Sequence, residues 1–86
     1  MGLDLVEIVM RVEEDFEVEI PDEISETLTT PRIVIDYLAN LPQFSERNRP
    51  REYIADKVWL ILEEVVAIDR HDYNEDSRFI EDMGMS

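Results

Sequence analysis

Three segments of this chain repeat their apolar residues at the spacing of an α-helix, and prolines lie between them. In the first segment, about residues 3–17, the residues of one apolar face are Leu5, Ile8, Val9, Val12 and Phe16. Because an α-helix has 3.6 residues per turn, residues at this spacing share one side, which indicates an amphipathic helix. Pro21 follows the segment and cannot continue a helix. The pattern therefore predicts a first helix that ends before Pro21.

Two further helices are predicted from their starts and their apolar stripes. Thr30 followed by Pro31 is a typical helix start, because a threonine side chain caps free N–H groups and a first-turn proline needs no donor. This second helix ends near Asn40, and its predicted buried side consists of Ile33, Val34, Tyr37 and Leu38. A third helix is predicted over about residues 51–66. Its core stripe is Ile54, Val58, Ile61 and Val65.

The remaining segments are predicted to be short turns and loops. Residues 25–28 make at most one turn, and residues 41–50 form a polar connector between two prolines. Residues 68–86 are mostly loop. Apolar residues that would hold this loop on the core are Ile68, Tyr73, Phe79, Ile80 and Met83. The chain of 86 residues is therefore predicted to be one all-α domain, a bundle of three or four helices.

Charge and composition exclude several classes of partner. With 22 acidic and eight basic residues, the net charge is −14, which repels nucleic acid and anionic membranes and attracts proteins with basic patches. No apolar run approaches the roughly 20 residues of a membrane span. The chain has no cysteine, which fits a reducing compartment. We therefore expect a cytoplasmic protein that binds other proteins.

The first helix has a second apolar stripe beside the one assigned to the core. Leu3, Val6 and Met10 are centred roughly 130° from the first stripe. Glu7, Glu13 and Glu14 border this second stripe. An apolar strip with an acidic rim suits docking onto a basic surface with an apolar centre. The alternative is that the strip packs against the loop at residues 79–83.

Two stretches of the sequence resemble acyl carrier proteins. Residues 3–23 (LDLVEIVMRVEEDFEVEIPDE) resemble the recognition helix of that family and the turn after it, and residues 28–38 (LTTPRIVIDYL) resemble its last helix. The spacing of the family's first helix is kept by Ile54, Val58, Ile61, Leu62, Val66 and Ile68. Residues 79–84 (FIEDMG) are similar to the segment that leads to the family's attachment site. The resemblance covers most of the chain.

The order of the two stretches is reversed relative to the family. Residues 1–41 resemble the family's second half and residues 51–86 its first half, with 42–50 as a new connector. This is the pattern of a circular permutation, which nearby surface termini make tolerable. The same sequence would also fit a domain-swapped dimer, in which each chain supplies one half of each of the two domains. We favour the permuted monomer, and the swapped dimer stays open.

The resemblance implies an attachment site for 4′-phosphopantetheine at the end of the chain. In the family this cofactor is joined to the serine of Gly-x-Asp-Ser-Leu, at a helix N-terminus that stabilises the phosphate. Here Gly84 matches the glycine, while Gly2 occupies the serine position before Leu3. The hydroxyl next to this break is that of Ser86, one position out of register. We therefore predict attachment at Ser86.

Other chemistry is not indicated by the sequence. His71 is the single histidine, and no nucleophile is placed near it by a motif. Asp72, Asn74 and Asp76 have the spacing of a calcium loop, but Ser77 and Met83 replace its required glycine and glutamate. We therefore predict a non-enzyme.

The resemblance implies a carrier of acyl or other thioester intermediates for fatty acid or polyketide-type synthesis. Its partners would be a phosphopantetheinyl transferase and acyl-processing synthase enzymes with basic docking patches. The first alternative is an interaction or regulatory protein of the same fold that has lost its attachment serine. The second is a piece of a longer array of such domains.

Overall fold

The protein is all-α, as the sequence predicts. The computed structural model describes residues 3–46 and 50–85. Its helices are α1 (Leu3–Phe16), α2 (Asp22–Ser25), α3 (Pro31–Ala39), α4 (Pro42–Glu46) and α5 (Arg51–Val66), followed by a 3₁₀ turn at Arg70–Asp72. The bounds of the three long helices agree with those predicted from the apolar spacing. The short turn begins at Asp22, three residues earlier than predicted.

Local signals set the ends of the long helices. The side chain of Thr30 accepts a hydrogen bond from the N–H of Ile33, and Pro31 follows it in the first turn. The helix α1 ends before Pro21, because Glu17 turns into the left-handed region with φ 55°. The N–H of Val18 then donates to the carbonyl of Glu13 at 3.1 Å. This arrangement satisfies a carbonyl that the helix end would otherwise leave free.

The helix α5 lies at the centre of the bundle, with α1 and α3 packed against it. Its residues Ile54 and Leu62 are completely buried, and Trp59 is buried as well. Val65, predicted in the core stripe of α5, is only partly buried, and Ile33, predicted on the buried side of α3, is 38% exposed. The buried face of α5 is nevertheless wider than the predicted stripe, because Trp59 and Leu62 are buried beside it and α5 contacts helices on two sides. Other buried residues of the core are Ile8, Val12, Phe16, Val34, Ile35, Leu38 and Phe79.

The connector at residues 41–50 contains the helix α4 and is not only a polar link. Phe44 on α4 is buried, and its ring meets that of Phe16 edge to face, with 5.6 Å between ring centres. Leu41 is partly buried beside the same core. Because Leu41 and Phe44 are three residues apart, one helical turn brings both onto the same side. The turn was missed because the segment is short and polar in composition.

We name residues 68–85 the strap, because this loop runs over the helices and is held on them by a few side chains. Phe79 and Met85 are buried, and Ile68, Tyr73 and Met83 are partly buried. Ile80, predicted as a core anchor, is 52% exposed, so that prediction was wrong. Met85 is buried in its place. A loop has no fixed period, so the sequence does not show which of two adjacent apolar residues points inward.

Ion pairs tie the strap to the starts of α3 and α5. The guanidinium of Arg51 donates to both carboxylate oxygens of Glu75, at 2.6 and 3.1 Å, and its Nε donates to Asp36 at 2.8 Å. Arg32 donates through Nε to Asp76 at 2.7 Å. Two parallel N–H···O bonds from a guanidinium to a carboxylate are stronger than hydrogen bonds between neutral groups. Residues far apart in the chain are thereby joined at one place.

Acid should weaken this attachment, and the part of the effect that is due to Glu75 should be absent in Glu75→Gln. The hydrogen bonds from Arg51 lower the pKa of the Glu75 carboxyl, below the value of about 4.3 for a free glutamate. The stability from this pair is therefore fully present above that value, and it is lost as pH falls through the lower pKa of the folded state. We expect Glu75→Gln to cost about 1 kcal/mol at neutral pH.

The measurement is the free energy of unfolding by urea for both proteins, at about pH 6 and about pH 3. The difference between the wild type and Glu75→Gln should shrink at the lower pH. A difference of equal size at both pH values would show that ionisation of Glu75 does not contribute to stability.

Candidate docking surface and attachment site

The second apolar stripe of α1 lies open to solvent. Leu3 is 78% exposed, Met10 54% and Val6 38%. The strap segment at residues 79–83 therefore does not bury them, although that was the alternative to a docking role. An exposed row of large apolar side chains on a small acidic domain costs solubility, and such patches commonly mark interaction sites. The exposure of this stripe is what a docking strip requires.

Met10 is the centre of the candidate docking surface. Three shallow depressions meet at its side chain. The first, between α1 and α2, has a volume of about 360 Å³ and is lined by Val6, Val9, Met10, Glu13, Ile20, Asp22, Ser25 and Glu26. The second, between α1 and α5, has a volume of about 390 Å³ and is lined by Glu7, Met10, Arg11, Glu14, Glu64 and Val65. The surface is thus wider than α1 itself.

The rim of this surface is acidic, but its glutamates differ in what they do. Glu7 and Glu14 are exposed, and both line the depression between α1 and α5 together with Met10. Glu13 is only partly exposed, and its carboxylate accepts a hydrogen bond of 2.9 Å from the N–H of buried Ile20. Glu13 therefore holds the chain segment after α1 in place. Of the three glutamates predicted at the rim, Glu7 and Glu14 can meet a partner without disturbing the fold.

One basic residue and one acidic residue of this surface were missed in the sequence. Arg11 donates hydrogen bonds to Asp15 at 3.5 Å and to Glu64 of α5 at 3.3 Å. Glu64 is 53 residues from Arg11 in the chain, so only the packing of α5 against α1 brings it to the rim. The Arg11–Asp15 spacing of four residues is visible in the sequence, since such positions are neighbours on a helix.

The predicted attachment residue, Ser86, lies outside the described residues, as do Met1 and Gly2. The structure does describe the segment that leads to it. The N–H of Met85 donates to the carbonyl of Phe79 at 3.0 Å, and Gly84 between them has φ 74°, which favours glycine. Phe79 and Leu5 line the same interior cavity. The end of the strap therefore packs near the first turns of α1.

The interior cavity lies between α1, α3 and the strap. Its lining is apolar except for Ser25, and consists of Leu5, Ile8, Val9, Val12, Ile20, Ser25, Leu28, Val34 and Phe79. Its volume is about 10 Å³, which is roughly the space needed for one water molecule. This cavity is separated from the groove between α1 and α2 by the side chains that line both spaces, those of Val9, Ile20 and Ser25.

The acidic loop at residues 72–77 is a structural turn. The side-chain oxygen of Asn74 accepts a hydrogen bond from the N–H of Asp76 at 2.8 Å, while the Asp76 carboxylate pairs with Arg32. The hydroxyl of Ser77 accepts from the N–H of Asn74 at 3.0 Å. Among residues 3–46 and 50–85, no group of three or more Asp, Glu or His side chains is placed to hold a metal ion.

Comparison with known proteins adds no identification. No family model matches this chain, and no solved structure matches it. The likeness to acyl carrier proteins therefore depends on the sequence motifs alone. Within the part of the chain that the structure describes, no helix is both long enough and apolar enough to cross a membrane.

Proposed function

We propose that this chain is a carrier module that holds acyl or related thioester intermediates on 4′-phosphopantetheine joined to Ser86. The observation that carries the proposal is the α1 surface, where an exposed apolar row around Met10 is bordered by Glu7 and Glu14. A carrier has to be recognised by several enzymes in turn. A compact surface of this kind can be recognised repeatedly, because charges at its rim speed encounter while a small apolar centre sets the register.

The course of the chain supports the permuted form of this proposal. Residues 79–84 resemble the family segment that precedes the recognition helix, and here they pack near that helix although they lie at the other end of the chain. In the family that the sequence resembles, the phosphate lies at the N-terminus of the recognition helix, which corresponds to α1 here. Free N–H groups and the helix dipole stabilise an anion at such an end.

The chemistry assigned to this module is transport, with the thiol supplied by the cofactor. Ser86 would provide its oxygen for the phosphodiester bond, and the protein would present the arm to its partners. The groove between α1 and α2 offers apolar side chains from Val6, Val9 and Ile20. These side chains can shield part of an apolar cargo from water. The partners are a phosphopantetheinyl transferase and acyl-processing synthase enzymes, each with a basic patch that matches the rim.

Intact-mass spectrometry after incubation with coenzyme A and a broad-specificity phosphopantetheinyl transferase tests the attachment. We expect the mass to rise by one phosphopantetheine, because Ser86 supplies the hydroxyl next to the break in the attachment motif of the sequence. Ser86→Ala should show no gain. The matched control is Ser77→Ala, which removes a serine hydroxyl inside the strap and should be modified like the wild type. A gain that persists in Ser86→Ala, or no gain in a folded sample, would overturn the assignment of Ser86.

A second candidate is an unmodified interaction protein of the same fold. The observation that favours it is that the exposed surface around Met10, with Glu7 and Glu14, can bind a protein without a cofactor. This protein would bind or regulate enzymes that carry basic docking patches. The two candidates differ in the mass experiment: the interaction protein gains no phosphopantetheine but still binds through α1.

A further inference from the structure

The strap, residues 68–85, has little regular structure of its own. Its one helical element is the 3₁₀ turn at Arg70–Asp72. Two backbone hydrogen bonds join it to the start of α3 and the residues before it: Arg32 N–H to the Glu75 carbonyl at 2.9 Å, and Phe79 N–H to the Thr29 carbonyl at 3.0 Å. The strap therefore depends on side-chain anchors.

The apolar anchors of the strap are few. Phe79 is 1% exposed, and its ring lines the interior cavity together with residues of α1 and with Val34 of α3. Met85 is buried near the end of the strap. The helices α1 and α3 each pack extensively against α5. The bundle of α1, α3 and α5 therefore has a continuous core through α5 that does not need Phe79 to connect it.

Near its start, the strap is anchored by Arg70, which donates to Asp56 of α5 at 3.1 Å. Its other polar anchor is the latch, which we define as Arg51 with Glu75 and Arg32 with Asp76. Both arginines of the latch belong to the helices, and both acids belong to the strap. The side chains of Arg51 and Glu75 are 39% and 25% exposed. Water can therefore reach this pair, and it can break without unfolding the helices.

The strap begins at a strained residue. Ala67 closes α5 in the left-handed region, with φ 56°. This region costs energy for a residue with a Cβ atom. The N–H of Ala67 still donates a hydrogen bond to the Glu63 carbonyl at 3.1 Å, so the left-handed conformation of Ala67 does not interrupt the hydrogen bonding of α5. A change of φ at Ala67 would swing the strap and leave α5 intact.

We propose that the strap opens as a unit about Ala67 while α1, α3 and α5 stay packed, and that the latch sets how often it opens. Opening removes Phe79 from the interior cavity and uncovers the apolar side chains of α1 and α3 there. Segments with few buried apolar contacts and partly exposed hydrogen bonds are the ones that open below the free energy of global unfolding. The proposal does not depend on attachment at Ser86.

Hydrogen exchange of the folded protein, followed by NMR at low urea concentrations, tests this. In the wild type, the N–H groups of Phe79 and Met85 should exchange faster than that of Leu62 in α5. Their rates should rise less steeply with urea than the rate of Leu62, because opening the strap exposes less surface than global unfolding does. The rate of Leu62 should rise steeply with urea, since its N–H exchanges through global unfolding.

Breaking the latch should change the strap rates in a defined way. Arg51→Met should speed the exchange of Phe79 and Met85 about tenfold, because it removes a forked charged pair that is partly screened by water. Glu75→Gln keeps the bond between Arg51 and Asp36 and should act in the same direction. The matched control is Arg11→Met, which removes an exposed pair between α1 and α5 and should leave the strap rates unchanged.

Two results would overturn the proposal. In the first, Phe79, Met85 and Leu62 exchange at one rate with one urea dependence, which means that strap and core unfold together. In the second, neither Arg51→Met nor Glu75→Gln changes the exchange of Phe79 and Met85, which means that the latch does not hold the strap closed.

Discussion

Leu62→Ala should lower the free energy of unfolding by about 2–5 kcal/mol, because it leaves a cavity where a leucine was packed on all sides. Leu62 is completely buried in α5, the helix that packs against both α1 and α3. A protein of this length has a total stability of only about 4–13 kcal/mol. The substitution should therefore lower the melting temperature by roughly 10 °C or more, or prevent folding altogether.

Leu60→Ala is the matched control for this experiment. Leu60 lies two residues earlier in the same helix but is 54% exposed. The same change of side chain there should alter stability by no more than about 0.5 kcal/mol. Both proteins are compared by urea unfolding monitored by circular dichroism. Equal losses at Leu60 and Leu62 would contradict the placement of α5 at the centre of the bundle.

Reversing two charges on the candidate docking surface should have the largest effect on binding. Glu7→Lys with Glu14→Lys places positive charge about one helical turn before and one turn after Met10, on the same face of α1. We expect the affinity for a phosphopantetheinyl transferase to fall at least about tenfold at low salt, since charged rims control the rate of encounter and reject like-charged partners. Helicity should be retained, because both side chains are exposed. Binding is measured by surface plasmon resonance at two salt concentrations.

Glu13 is left out of this variant because its carboxylate accepts a hydrogen bond from Ile20. A loss of binding in a Glu13 variant would mix a local change of structure with a change of charge. The matched control is Glu52→Lys with Asp72→Lys, which changes the net charge equally at exposed positions that do not line the depressions around Met10. If both double variants bind alike, net charge alone controls the association, and α1 has no special role.

The binding and mass experiments together separate the two proposed functions. A carrier gains phosphopantetheine at Ser86 and loses transferase binding when Glu7 and Glu14 are reversed. An unmodified interaction protein gains no mass, and its own partner is lost by the same charge reversal. The surface around Met10 is therefore tested independently of Ser86.

Much of the helical architecture was predictable from local patterns. The apolar spacing in residues 3–17 and 51–66 defines two helices, and Thr30 with Pro31 defines the start of another, because these signals act within one or two turns. The second apolar stripe of α1 was visible for the same reason. Its exposure was not predictable, since an apolar strip can be covered by any segment of the chain that reaches it.

The features missed in the sequence depend on contacts between distant residues. Phe44 becomes a core residue because α4 places its ring against Phe16 of α1. Glu64 joins the docking surface because α5 packs against α1. In the strap, Met85 is buried and Ile80 is exposed. The sequence shows apolar residues at both positions without a period that would distinguish them.

The amino-acid sequence by itself determined the three long helices and the strongly acidic character of the surface, because periodicity, capping and charge are local properties. The tertiary structure alone decided which surface remains open around Met10, which glutamates are free to meet a partner and how Arg51 and Arg32 hold the strap. These features depend on contacts between residues that are far apart in the sequence, and local patterns do not specify such contacts.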